Sequence, residues 1–265
     1  RHRLAFAGMV FVVLVGVGSL VAPWISPYDP YAMQLPDARL RPSWDHPLGT
    51  DNLGRDILTR VFVGGRISIA VALAAVAISS GLGTLLGVAA GYRGGWVDSI
   101  IMRITDMFMS IPMFVLLIVL VSMLGPSAKN VILIIGLLTW MGPARLVRGQ
   151  VLSVVNEPYI EAAIASGAPP GRLVIRHVLP NAYVPVVVAS TLGVANAMLS
   201  EAALSFLGLG IQPPTPSWGN MLNAAQQLQT LVQEPWVWLG PGAAIALTVL
   251  SINFMGDGLR DALDP

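Results

Sequence analysis

Apolar residues along this chain gather in long blocks, with no strict alternation. Six blocks, at 4–22, 67–92, 104–124, 131–146, 183–209 and 238–254, approach or exceed the roughly 20 residues a helix needs to cross a hydrocarbon core about 30 Å thick. The pattern predicts an all-α polytopic membrane protein of six transmembrane helices, with both termini on one side. No internal repeat or soluble domain stands out, so 1–265 reads as a single transmembrane unit. Its parts are a first span plus outer segment (1–65) and a core (66–265).

The stretches between the blocks differ in kind. Residues 23–65 are rich in Pro, Asp and aromatic side chains, which suits a packed loop with short pieces of structure. Within 218–233 the residues Met221, Leu222, Ala225, Leu228, Leu231 and Val232 recur at helical spacing against a Gln-rich face, predicting an interfacial helix. The third stretch, inside the loop 150–181, is EAAIASGAPPGRLVIRHVLP (161–180). Asn156 is placed to cap a helix through Ile160, Ala163 and Ile164, Gly167 to stop it, and Pro170 to open a second piece carrying Leu173, Val174, His177 and Val178. Each piece has one apolar face and is too short to persist alone. Such pieces pack either on their own spans and headgroups or on another protein.

Composition and charge narrow the class. Hydrophobic residues make up 55% of the chain and charged residues 11%, against about a quarter charged in soluble domains. A net charge of +1 with scattered cations argues against nucleic acid as a partner. The chain has no cysteine, which removes thiol chemistry and disulfides. With the amino terminus inside, Arg1, Arg3, Arg93, Arg103, Arg145, Arg148, Arg172, Arg176 and Arg260 fall on the cytoplasmic side, a bias that favours cytoplasmic termini. No small-x-small cleavage site precedes Pro23, so the first block is expected to be an uncleaved span. Trp24, Trp96, Trp236 and Trp238 lie near block ends, as membrane-interface rings do; Trp140 lies inside a block.

Candidate chemistry is sparse. A phosphate-binding loop needs GxxxxGK[ST], but the single lysine, Lys129, is followed by Asn130, so any ATP-driven work requires a partner ATPase. No HExxH occurs, and His2, His46 and His177 all lie outside the blocks, which argues against an intramembrane hydrolase. Asp51, Asn52 and Asp56 invite a calcium loop, but the sixth position is Asp56 instead of Gly and the twelfth Phe62 instead of Glu. Arg103 and Asp106, at i and i+3, are expected to form a local structural ion pair. Glu201, with Asn196 more than a turn before it, lies in the fifth block, where a carboxylate must face the bundle interior. Three roles stay open for it: the translocation path, a permease interface, or a buried hydrogen bond to a neighbouring span. A proton-coupled transporter, with Glu201 as its working group, is a rival class.

The segment 161–180 resembles the EAA loop of binding-protein-dependent ABC importer permeases through Glu161, Ala162, Ala163, Gly167, Leu179 and Pro180, with His177 where an isoleucine is commoner. HPLGTDNLGRDILTR (46–60), EAALSFLGLGIQPPTPSWGNML (201–222) and DGLRDALDP (257–265) are similar to the C-type permease subunits of dipeptide, oligopeptide and nickel importers. The resemblance implies a type I importer permease fold in a prokaryotic inner membrane. It also implies a heterodimer with a B-type permease, two cytoplasmic ATPase subunits that bind ATP and Mg, an extracytoplasmic substrate-binding protein, and no cofactor in this chain. Small peptides are the expected cargo, with nickel, glutathione or haem as alternatives within the family. The EAA residues would then couple the spans to the ATPases.

Overall fold

A computed structural model describes residues 3–263; Arg1, His2, Asp264 and Pro265, which carry one of the counted cations, one of the histidines and the end of the DGLRDALDP motif, lie outside the described residues. Among the described residues every regular element is helical, with the long non-helical stretches at 26–56, apart from one 3₁₀ turn, and 207–217. Its elements are α1 (Arg3–Ile25), α2 (Ile57–Arg93), α3 (Gly95–Met109), α4 (Met113–Leu124), α5 (Ala128–Leu138), α6 (Met141–Val155), α7 (Pro158–Ala165), α8 (Pro170–Leu173), α9 (Leu179–Phe206), α10 (Trp218–Leu222), α11 (Leu228–Gln233) and α12 (Trp236–Leu263). Five stretches are long and apolar enough to cross a membrane: α1, α2, α5 with α6, the body of α9, and α12.

A sixth candidate is the bent pair α3 and α4, apolar enough together to cross as one broken span, with their axes bent by 86°. Sequence pattern predicts one span over 104–124 with a kink at Pro112; Pro112 lacks an N–H and disfavours helical geometry at Ile111, and the kink takes the form of a full break at 110–112. With 12 residues, α4 is only about 18 Å long.

The centre of the bundle is α2, a 37-residue rod of about 55 Å packed against α1, α5, α6 and α9. Asp56 caps it, its side chain accepting from the Thr59 N–H, and Gly94 ends it at φ 62°. Gly83, Gly87 and Gly91 lie one turn apart on the face toward α6. A Cβ at Gly87 would stand 2.6 Å from the Ala144 carbonyl and 2.7 Å from the Val147 Cβ, and one at Gly91 2.8 Å from the Val151 Cβ. The two backbones therefore touch along three turns, the small-xxx-small packing that lipid-embedded helices use in place of a hydrophobic driving force.

Other boundaries also shift. Trp140, inside an expected span, sits at the joint between α5 and α6, and α6 continues to Val155. The expected interfacial helix over 218–233 divides into α10, a 3₁₀ turn at Asn223–Gln226, and α11. The Asx cap expected at Asn156 is absent: Asn156 closes α6 by donating to the Leu152 carbonyl at 2.8 Å, and α7 begins behind Glu157 with Pro158 in its first turn.

Candidate functional site

One end of the bundle carries the α7–α8 segment. Ile160, Val178 and Ala182 are buried and join Val147, Val151 and Val154 of α6 and Val186 of α9 in a small apolar core. That core holds the segment to its own spans along one face. Elsewhere the segment is open: Tyr159, Ile164 and Ile175 are exposed large apolar side chains, Ile175 at 70%, and Glu157, Glu161, Arg172 and Arg176 are exposed as well. Glu161 and Ala162 point outward, Ala163 is half-buried, and Leu179 and Pro180 are exposed at the start of α9.

Gly167 has φ 78°, the left-handed region that favours glycine, and donates its N–H to the Ile164 carbonyl at 2.9 Å to close α7. A Cβ at this position would meet nothing within 4 Å. Within the chain, then, glycine is needed for its conformation and not for space.

Beyond α8 the backbone makes one π turn at Val174–Val178 before α9 begins. His177 sits on that turn, its ring centroid 6.0 Å from the Tyr159 ring of α7. Asn181 bridges them, its Nδ2 donating to the His177 carbonyl at 2.6 Å and to the Tyr159 hydroxyl at 3.4 Å. The Asn181 bond to the carbonyl of residue 177 would be open to any side chain there, so what the histidine itself adds is the tilted ring contact, at 52°, with Tyr159.

At the far end of α9, Glu201 is fully buried. Its Oε1 accepts from the Ser205 hydroxyl at 2.7 Å and its Oε2 from the Ser68 hydroxyl of α2 at 3.1 Å. Both serines are themselves acceptors: Ser205 Oγ takes the Ile211 N–H at 3.0 Å and Ser68 Oγ the Trp218 N–H at 3.1 Å. Trp218 also donates its indole N–H to the Val61 carbonyl at 2.7 Å, and Asn220 donates to the Ile211 and Thr215 carbonyls. Gly219 lies against Ala202, where a Cβ would stand 2.6 Å from its Cα. This hub uses most of the 201–222 motif to lock α2, α9 and α10 to one another. Ser205, at i+4 from Glu201, was readable from spacing; Ser68, more than a hundred residues away, was not.

Asn196 is not part of the hub. Five positions before Glu201, it lies about 140° around the helix and is exposed. It lines a cleft of about 330 Å³ with Ser79, Ser80, Thr139, Ser190 and Ser200, a surface of small hydroxyl groups without a charged side chain.

The expected Arg103–Asp106 pair does not form. Asp106 pairs instead with Arg145 of α6, and one helical turn on, Arg148 forks onto Asp98, with Nη2 to Oδ2 at 2.6 Å. Placing Arg before Asp at i+3 is the poorer order on a helix, whereas antiparallel α3 and α6 put two guanidinium groups opposite two carboxylates. Arg103 is exposed. Within 46–60 each carboxylate is engaged by the chain's own groups: Asp51 with Arg55 (2.7 Å), Asp56 with His46 (3.0 Å) and the Thr59 hydroxyl (2.7 Å). Among the described residues no His, Cys, Asp and Glu group suited to a metal occurs.

Comparison with known proteins gives this arrangement a family. Residues 83–265 match the binding-protein-dependent transport system inner membrane component, and residues 1–42 the N-terminal TM domain of oligopeptide transport permease C. The chain is 42% identical over 266 residues to the dipeptide transport system permease protein of Alkalihalophilus pseudofirmus, covering 100% of this chain and 86% of that one. It is 40% identical over 264 residues to the oligopeptide transport system permease protein of Bacillus subtilis, with 100% and 86% coverage. To the glutathione transport system permease protein of Escherichia coli it is 44% identical over 266 residues, with 100% and 87% coverage. The motifs at 161–180 and 201–222 both fall inside the matched region, and the chain belongs to the binding-protein-dependent transport system inner membrane components.

Proposed function

We propose that this chain forms half of the translocation path of an ATP-driven importer of small peptides, and that α7 and α8 are its docking surface for a cytoplasmic ATPase subunit. The observation that carries the reading is the split character of that segment: Ile160 and Val178 are buried on α6 and α9, while Tyr159, Ile164 and Ile175 stand exposed in the same short stretch as the exposed charges of Glu157, Glu161, Arg172 and Arg176. Exposed aromatic and aliphatic side chains among charged ones suit a protein interface. Glu161, Ala162, Ala163 and Gly167 lie on or beside the open face, and His177 braces it through Tyr159. ATP and Mg bind on the partner, and the π turn at 174–178 passes its displacement directly into α9.

The uncharged cleft holding Asn196 lies between α2 and α9, on the side toward a second, B-type permease subunit. The EAA end is cytoplasmic and the Glu201 end faces the binding protein. Cargo of two to a few residues is supported by the dipeptide and oligopeptide relatives; the glutathione relative supports a related, peptide-like alternative.

The test reconstitutes this chain with its permease partner, ATPase subunits and binding protein, and measures ATPase stimulation by binding protein loaded with dipeptides, longer peptides, glutathione or nickel. Peptide-specific stimulation that persists when the proton gradient is collapsed is the expected result. Stimulation by nickel alone would overturn the cargo reading, and uptake driven by the proton gradient without ATP would overturn the transporter class.

A further inference from the structure

At the end of the bundle opposite α7 and α8, a cleft of about 580 Å³ opens between the 33–55 segment and the 213–237 segment. Its size falls within the roughly 300–1,000 Å³ of small-ligand sites. It is lined by charges of both signs, Arg55 and Glu234, together with the amides and hydroxyl of Asn52, Asn223, Gln227 and Thr230. We propose that this cleft binds the two charged ends of a short zwitterionic peptide, Glu234 taking its ammonium group and Arg55 its carboxylate.

Glu234 is 6% exposed and only half satisfied. Its Oε1 meets Arg39 Nη1 at 3.1 Å, while Oε2 is buried without any hydrogen-bond partner. A buried carboxylate oxygen left in that condition costs several times what a paired one does, so its persistence points to a donor supplied from outside the chain. Arg55 is 9% exposed, and its guanidinium is fixed through Nε alone, 2.7 Å from Asp51 Oδ2. The side chain is thereby locked in place while its terminal nitrogens make no bond among the described residues, which leaves the bidentate edge that suits a carboxylate. Neither charge is on a mobile arm: Glu234 is held at the turn into α12, and the Arg55 N–H is bonded to Asp51 Oδ1 at 3.0 Å.

The ligand chemistry follows from the pairing. An inorganic cation would be repelled by Arg39 and Arg55, and an anion by Glu234, whereas a molecule with an ammonium at one end and a carboxylate at the other satisfies both. Two residues of extended peptide span about 7 Å between termini, within reach of a cleft of this volume. The neutral Asn, Gln and Thr groups suit the peptide amide and leave side chains unread, as a broad peptide carrier requires. The site lies apart from the Asn196 cleft between α2 and α9, and its place at the end distant from the ATPase surface makes it a receiving site before entry. It rests on the peptide-cargo reading above.

The experiment measures binding of radiolabelled dialanine to the assembled permease and ATPase complex in nanodiscs, without binding protein, against N-acetylated and C-amidated dialanine. In the native complex, blocking either terminus is expected to weaken binding about ten- to a hundredfold, the worth of a hydrogen bond to a buried charge. Glu234→Gln should abolish the discrimination against N-acetylation but keep that against C-amidation; Arg55→Gln should do the reverse. A merely structural role for either residue would weaken all three ligands together, and that outcome overturns the proposal. So does the absence of dialanine binding up to millimolar concentration in a complex whose ATPase is still stimulated by peptide-loaded binding protein. If peptide-loaded binding protein gives no stimulation, the cargo reading itself has failed. Cross-linking of the cleft to a segment of the binding protein in place of peptide would assign it to docking and likewise overturn the proposal.

Discussion

The two ends of α9 are built on opposite principles. At Glu201 both carboxylate oxygens are bonded, the serines that bond them are bonded in turn, and Trp218 and Asn220 close the circle. At Leu179 the chain presents a bonded inner face and a bare outer one, with Tyr159, Ile164 and Ile175 in solvent. The first region is complete within this chain, and the second, on the docking reading proposed above, is completed by a partner. Damage to them should accordingly separate into loss of assembly at one end and loss of coupling at the other.

The largest effect is expected at the open end. Glu161→Lys and Gly167→Asp should abolish ATP-driven uptake while the permease stays in the membrane at normal abundance, as read by uptake assays beside quantitative immunoblots. Gly167→Asn sharpens the point, because asparagine tolerates φ near 78° and a Cβ there meets nothing in the chain. Loss of uptake in that variant locates the obstruction on the partner; full uptake assigns the glycine to backbone conformation.

Next comes the closed end. Glu201→Ala should lower the stability of the solubilised complex by about 3 kcal/mol, since it strands two buried hydroxyl donors, with uptake falling only as the amount of assembled complex falls. Glu201→Gln keeps the shape and one acceptor and should cost about 1 kcal/mol. A Gln variant that assembles normally but does not transport would move Glu201 into the path and break the comparison.

Smaller effects test its details. His177→Ile removes the ring contact with Tyr159 and should cost less than about 1 kcal/mol, with ATPase coupling measurably looser but not lost. Arg145→Ala should cost about 0.5 kcal/mol, because its pair with Asp106 is exposed, and Arg103→Ala should cost nothing beyond about 0.3 kcal/mol. Equal effects from the two would restore the local pair that the sequence suggested.

The legibility of each region in the sequence follows the range of its interactions. The spans, the EAA segment and Gly167 are written in local pattern and were read from it, and the family resemblance carried by the motifs agrees with the matched family. Glu201 was recognisably buried, but Ser68 entered only when α2 was laid against α9. The 3-residue spacing of Arg103 and Asp106 misled because a neighbouring helix offered a better partner, whereas Pro112 marked the kink within 104–124 and only its size, close to a right angle, was not legible. The Gly83, Gly87 and Gly91 stripe was plainly visible in the sequence and went unread; its four-residue period is the signature of helices in backbone contact.

That stripe sets the mechanical gearing of the molecule. With α2 and α6 fused along three turns, a push delivered at α7 cannot be absorbed by sliding between them, and the pair must rotate as one beam. A beam of about 55 Å that tilts by roughly 5° carries its far end, where Arg55 and the first turns of α2 lie, about 5 Å. On the coupling reading proposed above, a small stroke at α7 is amplified by length alone, and the glycines that contribute no side chain are what make the lever stiff.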